Sequence, residues 1–153
     1  MMIRTESRRT IAGSVDEVWE YLSDVGRWAE WAPTVLQCWI RGGGALEPGA
    51  WVEQRAKDLG WTHHRTEAVT AVEAPRHMEF AGTMGTSPSR WAFEVERAGD
   101  RKTDVTMWVE VDLAGVMRAI PGPLRGSLQR VGDREMAAVK AAVESAARQG
   151  AHG

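Results

Sequence analysis

Cysteine and tyrosine each occur once in this sequence, and phenylalanine only twice. The lone Cys38 excludes an internal disulfide and fits a reducing compartment. Neither sign of charge dominates: 19 basic residues face 21 acidic ones, so there is no electrostatic footprint for nucleic acid or an anionic membrane. Apolar runs are only a few residues long, which excludes a helical membrane span. The first residues, Met-Met-Ile-Arg-Thr-Glu-Ser-Arg-Arg, lack the apolar stretch of a secretion signal, so a cytoplasmic protein is expected. No repeat or low-complexity linker divides the sequence. One domain over residues 1–148 with a frayed tail at 149–153 is therefore expected. What the sequence does have is tryptophan. Eight of them each bring a large apolar face and one N–H donor, suited either to a core or to a pocket wall.

Residues 3–11 read as a polar strand with weak alternation. Ser14-Val15-Asp16-Glu17 then has the form of a capping box, and Val15, Val18, Trp19 and Leu22 fall on one helical face. Trp19 is read as core. Asp24 and Gly26 end the helix, and Trp28 to Pro33 reads as a helical turn or loop. From residue 34 to 112 the period becomes two. Six strands are expected at 34–41, 50–57, 61–73, 76–81, 89–97 and 103–112, joined by short turns into an antiparallel meander. Gly42-Gly43-Gly44 reads as a flexible hairpin tip. Trp91, Phe93 and Val95 share one face, as do Val105, Met107, Val109 and Val111. Arg90, Glu94, Glu96, Asp104 and Glu110 point the other way, to a wet side. After Pro121 and Pro123 comes a long helix over about 124–148, with Leu124, Leu128, Val131, Val139, Ala142 and Ala146 on its stripe and Met136 and Val143 beside it. A sheet with one apolar face needs a partner layer, and only this helix is long enough to supply it.

Three places carry candidate chemistry. His63 and His64 are adjacent, so on a strand their rings point to opposite faces and cannot both ligate one metal. With no HExxH and no cysteine cluster, neither a metal nor an organic cofactor is expected. His63 alone could act as a general base if it reached a cavity. Trp61, Arg65 and Glu67 share its face, and Thr62, His64 and Thr66 share the other. Glu135 interrupts the apolar stripe between Val131 and Val139. It either enters a cavity, or Gly132 bends the helix and turns it to water.

The segment Val15-Asp-Glu-Val18-Trp19-Glu-Tyr-Leu22-Ser-Asp24-Val-Gly-Arg-Trp28-Ala-Glu-Trp31, with Pro33, the meander and a final helix containing Met136-Ala-Ala-Val139-Lys140 and Glu144, resembles the SRPBCC or START-like superfamily. Within it, the sequence is most similar to the polyketide cyclase/dehydrase group. The resemblance implies an α+β helix-grip fold: a curved seven-stranded antiparallel sheet around the long C-terminal helix, with an internal cavity for a hydrophobic small molecule, lipid or polyketide. It places Trp28 and Trp31 where the fold closes one end, as wall and lid or as a staple holding the loop down. Related aromatase/cyclases use an arginine on the fourth strand and a tyrosine just after the helix–loop. Val35 stands at that tyrosine's position, and Arg65 falls several residues before that arginine's.

The expected ligand-binding wall is therefore Trp28, Trp31, Val35, Trp61, Trp91, Phe93, Met107 and Leu128, and the candidate catalytic groups are His63, Arg65 and Glu135. The leading reading is a protein that binds an aromatic or polycyclic, polyketide-like molecule. A polyketide aromatase/cyclase or dehydratase is the enzymatic alternative, in which the cavity folds a reactive chain and the polar groups move protons. A protein-interaction module of the Hsp90-activator kind is the third, and would need an exposed docking surface. The oligomeric state is left open.

Overall fold

The computed structural model describes residues 1–58 and 60–151. Seven strands, β1 (Met2–Ala12), β2 (Val35–Ile40), β3 (Trp51–Asp58), β4 (Trp61–Glu73), β5 (His77–Met84), β6 (Ser87–Gly99) and β7 (Lys102–Asp112), form one antiparallel sheet in the order β1-β7-β6-β5-β4-β3-β2. The first two strands thus lie at opposite edges. Helix α1 (Val15–Ser23) and a 3-10 turn (Val25–Glu30) carry the chain between them across one end of the sheet. Helix α2 (Pro121–Ala151) covers the concave face. This is the α+β helix-grip arrangement expected above. Among the described residues, no helix is long and apolar enough to cross a membrane.

Local rules account for most boundaries. The Ser14 hydroxyl accepts from the Glu17 N–H at 3.1 Å and caps α1. Only half of the capping box forms, because the Glu17 carboxylate turns to Arg101 at 2.9 Å. Gly42, Gly43 and Gly44 all have positive φ, so the expected hairpin tip is a backbone that favours glycine at each step. The long helix begins earlier than expected. Pro121 and Pro123 lie inside its first turn, where a missing N–H costs no hydrogen bond. Its far end is helical to Ala151, where a frayed tail was expected from residue 149, and residues 152–153 lie outside the described residues.

The two faces of the sheet divide as the alternation implies. Cross-strand pairs Phe80–Trp91, Met78–Phe93, Trp91–Val109 and Phe93–Met107 align the apolar residues on the concave side. On the convex side Arg90 bridges to Glu110 at 2.6 Å and Arg8 to Asp104 at 2.5 Å. That face is less wet than expected: Trp108 is buried, with Arg4 4.8 Å and Arg90 5.8 Å from its ring. On α2 the buried stripe runs through Met136, Val139 and Val143, whereas Ala146 is exposed.

How α2 is held decides where space is left. It is laced to the edge strand β1: Arg125 donates to the Arg4 carbonyl (3.1 Å), Gln129 to that of Glu6 (2.7 Å) and Lys140 to that of Thr10 (2.7 Å). Edge carbonyls that would otherwise face solvent are thereby satisfied. Gly132 permits the close approach. A Cβ there would stand 3.0 Å from the Ser7 hydroxyl, so this glycine serves contact with β1 rather than a bend. With the helix drawn towards β1, a space remains beside the β3–β4 half of the sheet.

Candidate functional site

That space is a cavity of about 640 Å³. Volumes of about 300–1,000 Å³ are usual for small-molecule sites. One end is aromatic. Trp28 comes from the 3-10 turn, Trp31 follows it, and Phe80, Trp91 and Phe93 rise from β5 and β6. Phe80 and Trp91 stack at 4.4 Å. Trp28 meets Phe80 edge-on at 5.0 Å and Trp91 at 5.2 Å, while Trp31 meets Phe93 at 5.4 Å. Each such pair adds about 0.5–1.5 kcal/mol beyond area burial. The Trp28 indole N–H donates to the Leu22 carbonyl at 2.9 Å, anchoring the turn to the end of α1. Trp28 and Trp31 are both wall and staple: each lines the cavity and is almost wholly buried.

The other part is polar, and it comes from alternate positions on β3 and β4. Arg65 pairs in register with Gln54, and Glu67 lies two residues further on the same face. Arg65 donates to the Gln54 side-chain carbonyl at 3.0 Å. The Gln54 amide and the Trp91 indole N–H each donate to a different oxygen of Glu67. The Arg65 Nε is buried without a hydrogen-bond partner among the described residues. Burial pushes the Glu67 carboxyl above the usual carboxylate range, against hydrogen bonds from Trp91 and Gln54 and the nearby Arg65 charge. From α2, Glu135 faces the same cavity. Burial pushes its carboxyl up to about 7, with Arg65 pulling it down and Glu67 pushing it further up. Among the described residues it accepts no hydrogen bond and forms no ion pair.

The cavity brings together His63, Arg65 and Glu135, three residues from two elements separated by the rest of the sheet in sequence. It also takes in Trp28, Trp31, Val35, Trp91, Met107 and Leu128. Two expected wall residues are elsewhere. Trp61 is 77 % exposed, because it opens β4 at the tip of the β3–β4 hairpin, where facing the concave side no longer means facing the cavity. Phe93 is fully buried behind the wall, between Trp31, Trp91 and Met78 in the adjacent strand. His64 is hydrogen-bonded to Glu53 with Arg41 and Thr66 around the same carboxylate. Among the described residues, no group of three or more His, Cys, Asp or Glu is placed to hold a metal ion. Gln54 and Glu67 were not among the candidates. A signal existed for each: Gln54 is the polar member of the alternating set Val52, Gln54, Ala56, and Glu67 sits two residues from Arg65.

A polar-lined cavity between a grip-like sheet and its helix invites comparison with known proteins, and residues 2–149 match the polyketide cyclase/dehydrase and lipid transport family. The chain belongs to that family. Its fold is also that of solved START-superfamily proteins. The Zhui aromatase/cyclase from Streptomyces sp. R1128 is 21% identical, with a TM-score of 0.72 over 97% of this chain and 95% of that one. The di-domain aromatase/cyclase StfQ of the steffimycin biosynthetic pathway is 14% identical, with a TM-score of 0.76 over 96% of this chain and 52% of that one. A START superfamily protein from Mycobacterium smegmatis is 15% identical, with a TM-score of 0.69 over 95% and 97% of the two chains. No curated protein matches the sequence. Family membership supports hydrophobic-ligand binding or cyclase activity for this cavity.

Proposed function

We propose that the protein binds an aromatic or polycyclic, polyketide-like small molecule in the cavity. The observation that carries this reading is the joining of three tryptophans, Trp28, Trp31 and Trp91, to one wall of a 640 Å³ space. Flat rings stack on flat rings, and the apolar area removed from water supplies most of the affinity. The family's description, polyketide cyclase/dehydrase and lipid transport, and the aromatase/cyclase neighbours are in keeping with such a ligand. Buried Cys38, whose thiol is pushed up to about 12 by burial and the nearby Glu67, suits a reducing cytoplasm.

Titration calorimetry with naphthalene- and anthracene-based ligands tests the reading. Saturable binding that weakens by about tenfold or more in Trp91→Ala is expected, as for the loss of one aromatic wall. Absence of binding across the series in folded protein would remove the aromatic ligand.

A second reading rests on one observation, the Glu135 carboxyl held near neutrality beside the Arg65 cation. In an aromatase/cyclase or dehydratase acting on a poly-β-keto chain, Glu135 would take and return a proton while Arg65 stabilised an enolate-like oxygen. His63 would be the further acid–base group in reach of the cavity. Glu135→Gln would then abolish turnover while leaving affinity for the product near its original value.

A further inference from the structure

One carboxyl in the cavity has no partner among the described residues. The cavity's titratable side chains are His63, His64, Arg65, Glu67 and Glu135. Glu67 is fully engaged, with one oxygen on Gln54 and the other on Trp91. Arg65 is turned to Gln54 and makes an ion pair with neither carboxylate, and the outer-facing His64 is committed to Glu53. Among the described residues, Glu135 accepts no hydrogen bond and forms no ion pair, so its ionised form has no counter-ion in contact. A carboxylate withdrawn from water without a counter-ion is costly, and a ligand that supplies the missing cation removes that cost.

The place of this carboxylate matters as much as its charge. Glu67, which acts electrostatically on Glu135, is hydrogen-bonded to Trp91, and both carboxyls line the same cavity as Trp28, Trp31 and Trp91. A cation held there also meets indole faces, whose negative quadrupole attracts it. We infer that the ligand of this cavity is an aromatic compound bearing a protonated amine, with the Glu135 carboxylate as its counter-ion and Trp91 as the stacking surface beside it. The inference rests on the aromatic-ligand reading above and narrows it to one chemical class. A neutral hydroxyl at the same position would donate one hydrogen bond but leave the charge uncompensated, and a carboxylate-bearing ligand would set like charge against Glu135.

The test compares naphthylethylamine with naphthylethanol, which share the ring and differ at the terminal group. Both are titrated calorimetrically at pH 7 into the wild-type protein and Glu135→Gln. In the wild type the amine is expected to bind at least about tenfold more tightly, as for a charge-assisted contact in a cavity. Its binding should also release protons, seen as a dependence of the heat on the buffer's ionisation enthalpy. In Glu135→Gln the preference and the proton release should vanish, while the alcohol binds as before. That retained affinity shows the variant's cavity to be intact. Equal or tighter binding of the alcohol in the wild type would overturn the amine inference and leave the aromatic reading standing. So would a preference that survives in the variant, or a variant that binds neither ligand, since Glu135 would then support the cavity rather than the amine. Failure of both compounds to bind the wild type would overturn the aromatic reading itself.

Discussion

Replacing Glu135 by glutamine should make the protein more stable at pH 8 and leave it unchanged at pH 4. In the fold the carboxyl ionises at about 7 instead of 4.5, chiefly because burial disfavours its charge. A carboxyl raised in this way stabilises the fold only while it is protonated. That contribution is complete below about pH 4.5, where folded and unfolded chains are both neutral, and is lost as the pH rises to about 7. The displacement corresponds to about 3 kcal/mol, against a total stability of about 5–15 kcal/mol for a typical domain. Glutamine keeps the shape without the charge. Urea unfolding of both proteins from pH 4 to pH 8 checks this, read as the difference between them. Subtraction removes most of the contribution of Glu67, which is raised by burial in both and adds a slope of the same sign, and its repulsion of Glu135 leaves a remainder of that sign. It also removes Glu53, Asp104, Glu110 and Asp133, whose hydrogen-bonded carboxylates are lowered in both proteins and lose stability at the acid end. A difference that is flat with pH, or a variant less stable at pH 8, would refute the claim that Glu135 sits uncompensated in the cavity.

Gly132→Ala should destabilise by about 1 kcal/mol, despite alanine's better helix propensity. Ser7 cannot easily yield, since its hydroxyl donates to Asp133 at 2.6 Å and accepts from Gln129 at 3.2 Å; adding Ser7→Ala should recover part of the loss in a thermal melt. Cys38 should resist alkylation at pH 8 in native protein and react on denaturation, as thiol titration would record, because its thiolate is disfavoured and the residue is buried. Trp61→Ala should alter aromatic-ligand affinity less than about twofold in calorimetry, because this ring is largely exposed and does not line the cavity.

Strand positions were readable because the sheet has one apolar face. Alternation through Trp91, Phe93 and Val95 sets the period, and a register error would bury Arg90 and Glu94. The start of α2 was misread because Pro121 and Pro123 break helices anywhere except the first turn, and sequence alone did not place them there. At the site, His63, Arg65 and Glu67 follow from one strand's alternation. Gln54 needs the β3–β4 register, which is a property of two strands together. Trp61 was misplaced for the same kind of reason: alternation tells which face a side chain takes, not how far along the strand the helix reaches. Glu135 was ambiguous because Gly132 permits either a bend or a close contact, and only the position of Ser7 decides between them.

The grouping of the tryptophans also divides the protein's optical properties. Trp28, Trp31 and Trp91 have ring centres 5.2–6.3 Å apart, close enough for their excited states to couple and for light absorbed by one to be shared among all three. Trp61 stands in solvent, as Trp51 does in part. Collisional quenchers such as iodide should reach the emission of these two and leave the coupled trio alone, while an occupant of the cavity should do the reverse. A single emission spectrum thus contains both a signal from the cavity and, at longer wavelength, its own internal reference.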